Sequence, residues 1–174
     1  VIQSQVPVTK QLIRVFEQCQ SSVLAIEEVP EEKISSYGII KPRWIDDHLY
    51  QVLSLVEKPE LPDAPSNLGI VGRYVLTPDI FAALQETLPG KGGEIQLTDG
   101  LSRLLSQQSI FGYRFEGNRY DTGTPLGLLK ASIAFALESP DMAKDLREYL
   151  VELQLCNSSI PATVSTKSSV TSDS

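Results

Sequence analysis

Residues 56–74 read V-E-K-P-E-L-P-D-A-P-S-N-L-G-I-V-G-R-Y, and the rest of the chain is arranged around them. An apolar run from Val52 to Val56, broken by Ser54, delivers an adjacent acid and base, Glu57 and Lys58, to Pro59, where regular structure must stop. The pair therefore sits at a strand end. After a proline-rich connection, Asn67 leads into a second apolar run that carries Gly69 and Gly72 and ends at Tyr74 and Val75. Glycine inside a strand pattern predicts close approach to the backbone by a ligand or another segment. Lys58 offers a point charge for a phosphate, and Glu57 accepts hydrogen bonds from hydroxyls. Two solvated charges at a strand end are the plainer reading of the same pair.

Outward from this stretch, strands and helices alternate. Leu12, Ile13, Phe16 and Cys19 follow helical spacing behind Thr9, which is read as an N-cap after a leading loop over 1–8. Ser22 to Val29 is a buried strand, and Glu31 to Ser36 one polar helical turn. Gly38 opens the strand Y-G-I-I, Lys41 to His48 is a loop with Trp44 half-buried, and Leu49 to Val56 is the strand that carries the pair. The only histidine, His48, sits beside Asp46 and Asp47 and reads as a turn residue rather than a general base. Thr77 and Thr98 are read as N-caps of two further helices, the first with Ile80, Phe81 and Leu84 inward, the second with Leu97, Leu101, Leu104 and Leu105 on one side. The three glycines at 90, 92 and 93 around Lys91 lack the strand-to-helix setting of a P-loop and read as a flexible turn. A strand at Ser109 to Phe115 leads through a turn at Gly117 and Asn118 to R-Y-D-T-G-T. Asp121 there is open to two readings, a turn aspartate or a metal ligand. The helix from Pro125 to Leu137 is apolar almost all round and predicts deep packing; the next, from Pro140 to about Cys156, turns Met142, Leu146, Tyr149, Leu150 and Leu153 inward, over the fold or against a partner subunit.

The domain is expected at 1–156, with a disordered Ser/Thr-rich tail at 157–174. With 174 residues, 41% hydrophobic and 21% charged, the chain has enough apolar surface for one core. A net charge of −7 argues against nucleic acid and anionic membrane surfaces as partners. Cys19 and Cys156 are far apart, in helix-like patterns, with no His/Cys ligand set, which predicts buried, reduced thiols and no zinc site. No run is long enough to span a bilayer and no signal opens the chain, which fits the cytoplasm. The first residue is Val, consistent with a start inside a longer protein.

Three blocks in order, V-E-K-P…A-P-S-N-L-G-I-V-G-R-Y, G-G-E-I-Q-L-T-D at 92–99 and Y-D-T-G at 120–123, are more specific together than any one alone. Over Leu12 to Leu137 the chain resembles the bacterial UTP-glucose-1-phosphate uridylyltransferases, members of the sugar-1-phosphate nucleotidyltransferases. The resemblance implies an α/β, Rossmann-like fold, a mixed sheet with helices on both faces, of which this chain is the C-terminal part. It implies transfer from UTP to alpha-D-glucose 1-phosphate, giving UDP-glucose and pyrophosphate, with Mg2+ as cofactor and a homo-oligomer at full length.

On that resemblance Lys58 grips the attacking phosphate, Glu57 the glucose hydroxyls, Gly38 lets the backbone approach the sugar phosphate, and Gly72 is among the substrate-binding residues. Tyr74 and Tyr120 line the sugar site, Asp121 holds the metal, and Glu94 and Asp99 support the pocket wall. The family's loop G-x-G-T-R and its earlier aspartate are missing from these 174 residues, so the chain alone is expected to be inactive. Thymidylyl or cytidylyl transfer, or a non-catalytic sugar-phosphate sensor, are the alternatives.

Overall fold

The computed structural model describes residues 1–90 and 93–157. Lys91 and Gly92 of the glycine turn, the side chain of Cys156 and, from 158 onward, the expected tail lie outside the described residues; Asn157 ends the last helix. Two compact units divide the chain at Arg119.

The unit Ile2–Arg119 is organised by β2 (Ser22–Glu28). Its apolar run is continuous because both faces are covered. Val23 and Ala25 pack with Val8, Leu12 and Val15 of α1 (Val8–Cys19). Leu24 and Ile26, pointing the other way by the two-residue period of a strand, pack with Ile80 and Ala83 of α2 (Asp79–Gln85) and Leu101 and Leu104 of α3 (Leu97–Leu105). β2 pairs antiparallel with β5 (Leu68–Val75) and parallel with β6 (Ile110–Arg114). β3 (Gly38–Trp44) and β4 (Leu49–Glu57) form an antiparallel hairpin that joins β5 at one side and β6 at the other. The mixed sheet with helices on both faces is as expected from sequence. Its closure into a barrel in the order β2-β5-β3-β4-β6 is not legible there. A short ribbon of β1 (Ile2–Gln3) and β7 (Asn118–Arg119) stands apart.

The hairpin fixes the register that matters. Asp46 Oδ1 accepts the backbone N–H groups of His48 and Leu49, each at 2.8 Å, and so shapes the turn. From there the ladder runs back through an irregularity at Lys41 and Pro42, where proline's missing donor is tolerated, to pair Gly38 with Glu57. The first half of the segment expected as a loop over 41–48, Lys41 to Trp44, is thus strand, and Trp44 is 65% exposed rather than half-buried.

The expected caps fall elsewhere. Pro7, Pro78 and Gln96 occupy the N-cap positions of α1, α2 and α3 and give no side-chain cap bond. The Thr77 hydroxyl instead donates to Gln108 Oε1 at 3.1 Å, and that of Thr98 to Glu57. Phe81, expected inward, is 70% exposed. Cys19 is a free, half-buried thiol whose pKa burial pushes up.

The second unit comprises Val1 and the chain from Tyr120. α4 (Pro125–Glu138) is capped by Thr124, whose Oγ1 accepts the Gly127 N–H at 3.1 Å, and α5 (Ala143–Asn157) packs against it. The deep packing expected of α4 is not found. Ala131 is its one buried residue, while Leu126, Leu128, Leu129 and Phe135 are exposed; on α5 and just before it Met142, Tyr149 and Leu153 are exposed too.

Candidate functional site

The β3–β4 register sets Gly38 and Glu57 side by side, and α3 closes over them. Thr98 donates its hydroxyl proton to Glu57 Oε2 at 2.6 Å. The other carboxylate oxygen, Oε1, lies 3.5 Å from Lys58 Nζ. A Cβ on Gly38 would stand 3.0 Å from Thr98 Oγ1 and 3.1 Å from Glu57 Oε2. Any side chain at 38 would therefore press on the Thr98–Glu57 pair.

Around this pair opens a cavity of about 350 Å³, lined by Gly38, Glu57, Gly72, Tyr74, Thr98 and Arg119 among others. Four of the residues picked from sequence, Gly38, Glu57, Gly72 and Tyr74, thus converge on one space. Gly72 has φ of +67° and nothing within 4 Å of its would-be Cβ, so backbone conformation, where β5 departs from regular pairing with β2, demands glycine there. Gly69 answers to packing: its Cβ would meet Val29 Cγ1 at 2.9 Å. The Tyr74 phenol is held above its ordinary pKa by burial first and by the negative charge of Glu57 second, with Arg73 opposing. A neutral phenol and a carboxylate share one wall.

Lys58 lines a neighbouring cavity of about 570 Å³ with Ser35, Glu60, Gln96 and Asp99; Glu57 and Gln96 belong to both spaces. Its side chain is 57% exposed, and its backbone adopts φ of +45°, the left-handed region that L-residues avoid. The Lys58 N–H donates to the Tyr37 carbonyl at 3.0 Å, which holds the chain in that turn. Asp99 lines this second cavity and not the first; Glu94 is exposed and lines neither.

Two residues were missed from sequence. Thr98 carries a capping signal that hid its contact with Glu57. Arg119 is the other: its Nε donates to Glu27 Oε1 at 2.5 Å, and its Nη2 donates to the Tyr37 hydroxyl. Burial works to lower its pKa, but Glu27 and Tyr37 outweigh that and raise it, so the guanidinium stays charged. Its only sequence signal was a basic residue next to Tyr120 in the R-Y-D-T-G block.

Tyr120 and Asp121 belong to the other unit. The Tyr120 N–H donates to the Val1 carbonyl at 2.8 Å. Asp121 is exposed, and its Oδ1 accepts the Gly123 N–H at 3.1 Å, a turn contact. Among the described residues no group of three or more His, Cys, Asp or Glu side chains could enclose a metal ion. A lone exposed carboxylate fits an ion bound through one or two carboxylates, water and substrate phosphates, as Mg2+ commonly is, rather than one caged by protein. Among the described residues no helix is long and apolar enough to cross a membrane.

The nucleotidyl transferase family profile matches residues 2–137. The chain is 45% identical over 155 residues to a UTP-glucose-1-phosphate uridylyltransferase of Staphylococcus epidermidis, covering 89% of this chain and 54% of that protein. It is 46% identical over 148 residues to UTP-glucose-1-phosphate uridylyltransferase 1 of Streptococcus pyogenes serotype M1, covering 84% and 49%. Among solved structures, a UDP-glucose pyrophosphorylase complexed with UDP-glucose superposes with a TM-score of 0.73 at 44% identity, over 79% of this chain and 53% of that one. The chain spans about half the length of the curated relatives it matches.

Proposed function

The chain belongs to the nucleotidyl transferase family, and on that premise we propose that it supplies the sugar-phosphate side of a uridylyltransferase that joins UTP and alpha-D-glucose 1-phosphate into UDP-glucose, releasing pyrophosphate. The observation that carries this reading is the convergence of Gly38, Glu57, Gly72 and Tyr74 on one cavity, with Lys58 in the adjoining wall. A phosphate oxygen of the sugar phosphate attacks the α-phosphorus of UTP in line, and the bond to pyrophosphate breaks. Such a step depends on positioning and charge stabilisation more than on proton transfer.

Each residue's part follows from its chemistry. Glu57, an acceptor with both oxygens already oriented, takes hydrogen bonds from glucose hydroxyls. Lys58, half-exposed on a flexible stem, reaches the attacking phosphate as a point charge. Tyr74, kept neutral, lines the sugar, and the open backbone at Gly72 lets a ligand lie against it. Gly38 leaves room for the Thr98–Glu57 pair. Asp121 would hold Mg2+ with substrate phosphate oxygens, and the ion would neutralise their charge.

Relatives named for UTP support uridine as the base. The exposed apolar residues of α4 and α5 support a homo-oligomer. The test is pyrophosphate release with glucose 1-phosphate, magnesium and each nucleoside triphosphate in turn, by a native chain carrying these residues behind a G-x-G-T-R loop. Release with UTP above the others is expected. Silence from a folded protein that still binds glucose 1-phosphate would replace the enzyme with a sugar-phosphate sensor.

A further inference from the structure

Thr98 poses a question that its helix does not answer. It lies in the first turn of α3, is 9% exposed, and makes no capping bond, because Gln96 holds the cap position. A buried hydroxyl needs a partner, and Thr98 has one across the cavity wall, Glu57 Oε2 at 2.6 Å. A hydroxyl donating to a carboxylate at that distance is a strong, directional contact. It fixes the Glu57 side chain, which would otherwise rotate about three bonds at the end of β4. It also uses one lone pair of Oε2, leaving the remaining acceptor sites of the carboxylate for hydroxyl donors.

We infer that Thr98 is a positioning residue for the sugar: it holds the Glu57 carboxylate in the one orientation that receives hydroxyls, and so sets affinity for the sugar part of the ligand but not for its phosphate. This rests on the proposed binding of glucose 1-phosphate. Lys58, the phosphate's partner in that reading, is 3.5 Å from the opposite oxygen of Glu57 and is joined to β4 by its own backbone, so losing the Thr98 hydroxyl leaves it in place.

Two probes separate the roles. Glucose 1-phosphate and inorganic phosphate are titrated by calorimetry or amide chemical shifts into the native chain that carries these residues behind a G-x-G-T-R loop, with folding checked by circular dichroism. Thr98→Val, which keeps shape and removes the hydroxyl, should weaken glucose 1-phosphate about tenfold, the size expected of a hydrogen bond to a charged group. It should leave phosphate binding within about twofold, and Thr98→Ser should restore the wild-type value for both. If Thr98→Val does not fold, Thr98→Ala removes the hydroxyl without adding a methyl and carries the same expectation. Unchanged glucose 1-phosphate affinity in the folded variant, equal loss of both ligands, or failure of the serine to rescue would each overturn the inference. A wild-type chain that binds no glucose 1-phosphate would instead overturn the functional reading beneath it.

Discussion

Lys58 is the residue on which function and stability pull in opposite directions, and a pair of substitutions measures both. At φ of +45° its Cβ crowds the following carbonyl, a conformation that costs an L-residue about 1–2 kcal/mol. Lys58→Ala removes the ammonium but keeps the Cβ; Lys58→Gly removes both. Loss of the ion pair to Glu57 hardly enters, because at 3.5 Å with the lysine 57% exposed it is worth roughly 0–0.5 kcal/mol in solvent. The glycine chain gains more freedom when unfolded, which returns roughly 0.5–1 kcal/mol. The net expectation is that Lys58→Gly is more stable than Lys58→Ala by roughly 0.5–1 kcal/mol. For a chain of this size that is about 1–4 °C in Tm, and a matching rise in urea midpoint at constant slope. Both variants should lose glucose 1-phosphate affinity alike, by about tenfold or more, since both lack the charge. A glycine variant no more stable than the alanine one would refute the claim of strain, and affinity retained by either would remove Lys58 from the site.

Gly38→Ala places a methyl 3.0 Å from Thr98 Oγ1 and 3.1 Å from Glu57 Oε2; we expect a stability loss of about 1–2 kcal/mol and a larger proportional loss of glucose 1-phosphate affinity, with unchanged affinity as the contrary result. Arg119→Met strands Glu27 and Tyr37 in a half-buried setting and should lower unfolding free energy by about 1–2 kcal/mol in urea titration, whereas a change under about 0.5 would mean the cluster is solvated and inert. The raised pKa values of Tyr74 and Tyr113 have a pH consequence. The folded chain keeps phenolic protons that the unfolded chain releases near 10, so their contribution is complete below about pH 10 and lost as pH rises through the folded values. Tyr74→Phe should flatten part of that decline in urea midpoints measured from pH 8 to 11, and an identical decline would exclude Tyr74 as its source.

Strands were legible where burial on both faces left no choice: the V-L-A-I run of β2 needed only its composition. Helix starts were not, and for a shared reason. Thr9, Thr77 and Thr98 each precede an apolar run, the usual signature of an N-cap, yet cap positions fell to Pro7, Pro78 and Gln96. At Thr77 the backbone N–H goes to Ser22 Oγ at 3.0 Å and the hydroxyl to Gln108, partners 55 and 31 residues away that no local pattern announces. α4 failed differently. Its composition reads as core, but composition reports only that an apolar surface exists, not whether the same unit covers it, and Leu126 at 61% exposure shows that it does not.

The candidate site was half-legible because its residues stand where strands end, and the other half follows from register. Glu57 and Lys58 are found beside a proline by inspection; that Gly38 faces Glu57 is decided by the turn at Asp46, some ten residues away along either strand. A slip of one residue in that hairpin would turn Glu57 to the other face and leave Thr98 with a buried hydroxyl and no acceptor. The contact from Thr98 therefore does two things at once: it orients a carboxylate for a ligand, and it penalises the wrong register of the strand that carries it. A binding group secured by the same bond that selects the fold does not need a rigid loop to hold it, which is why it can sit at the open end of β4 beside the strained Lys58.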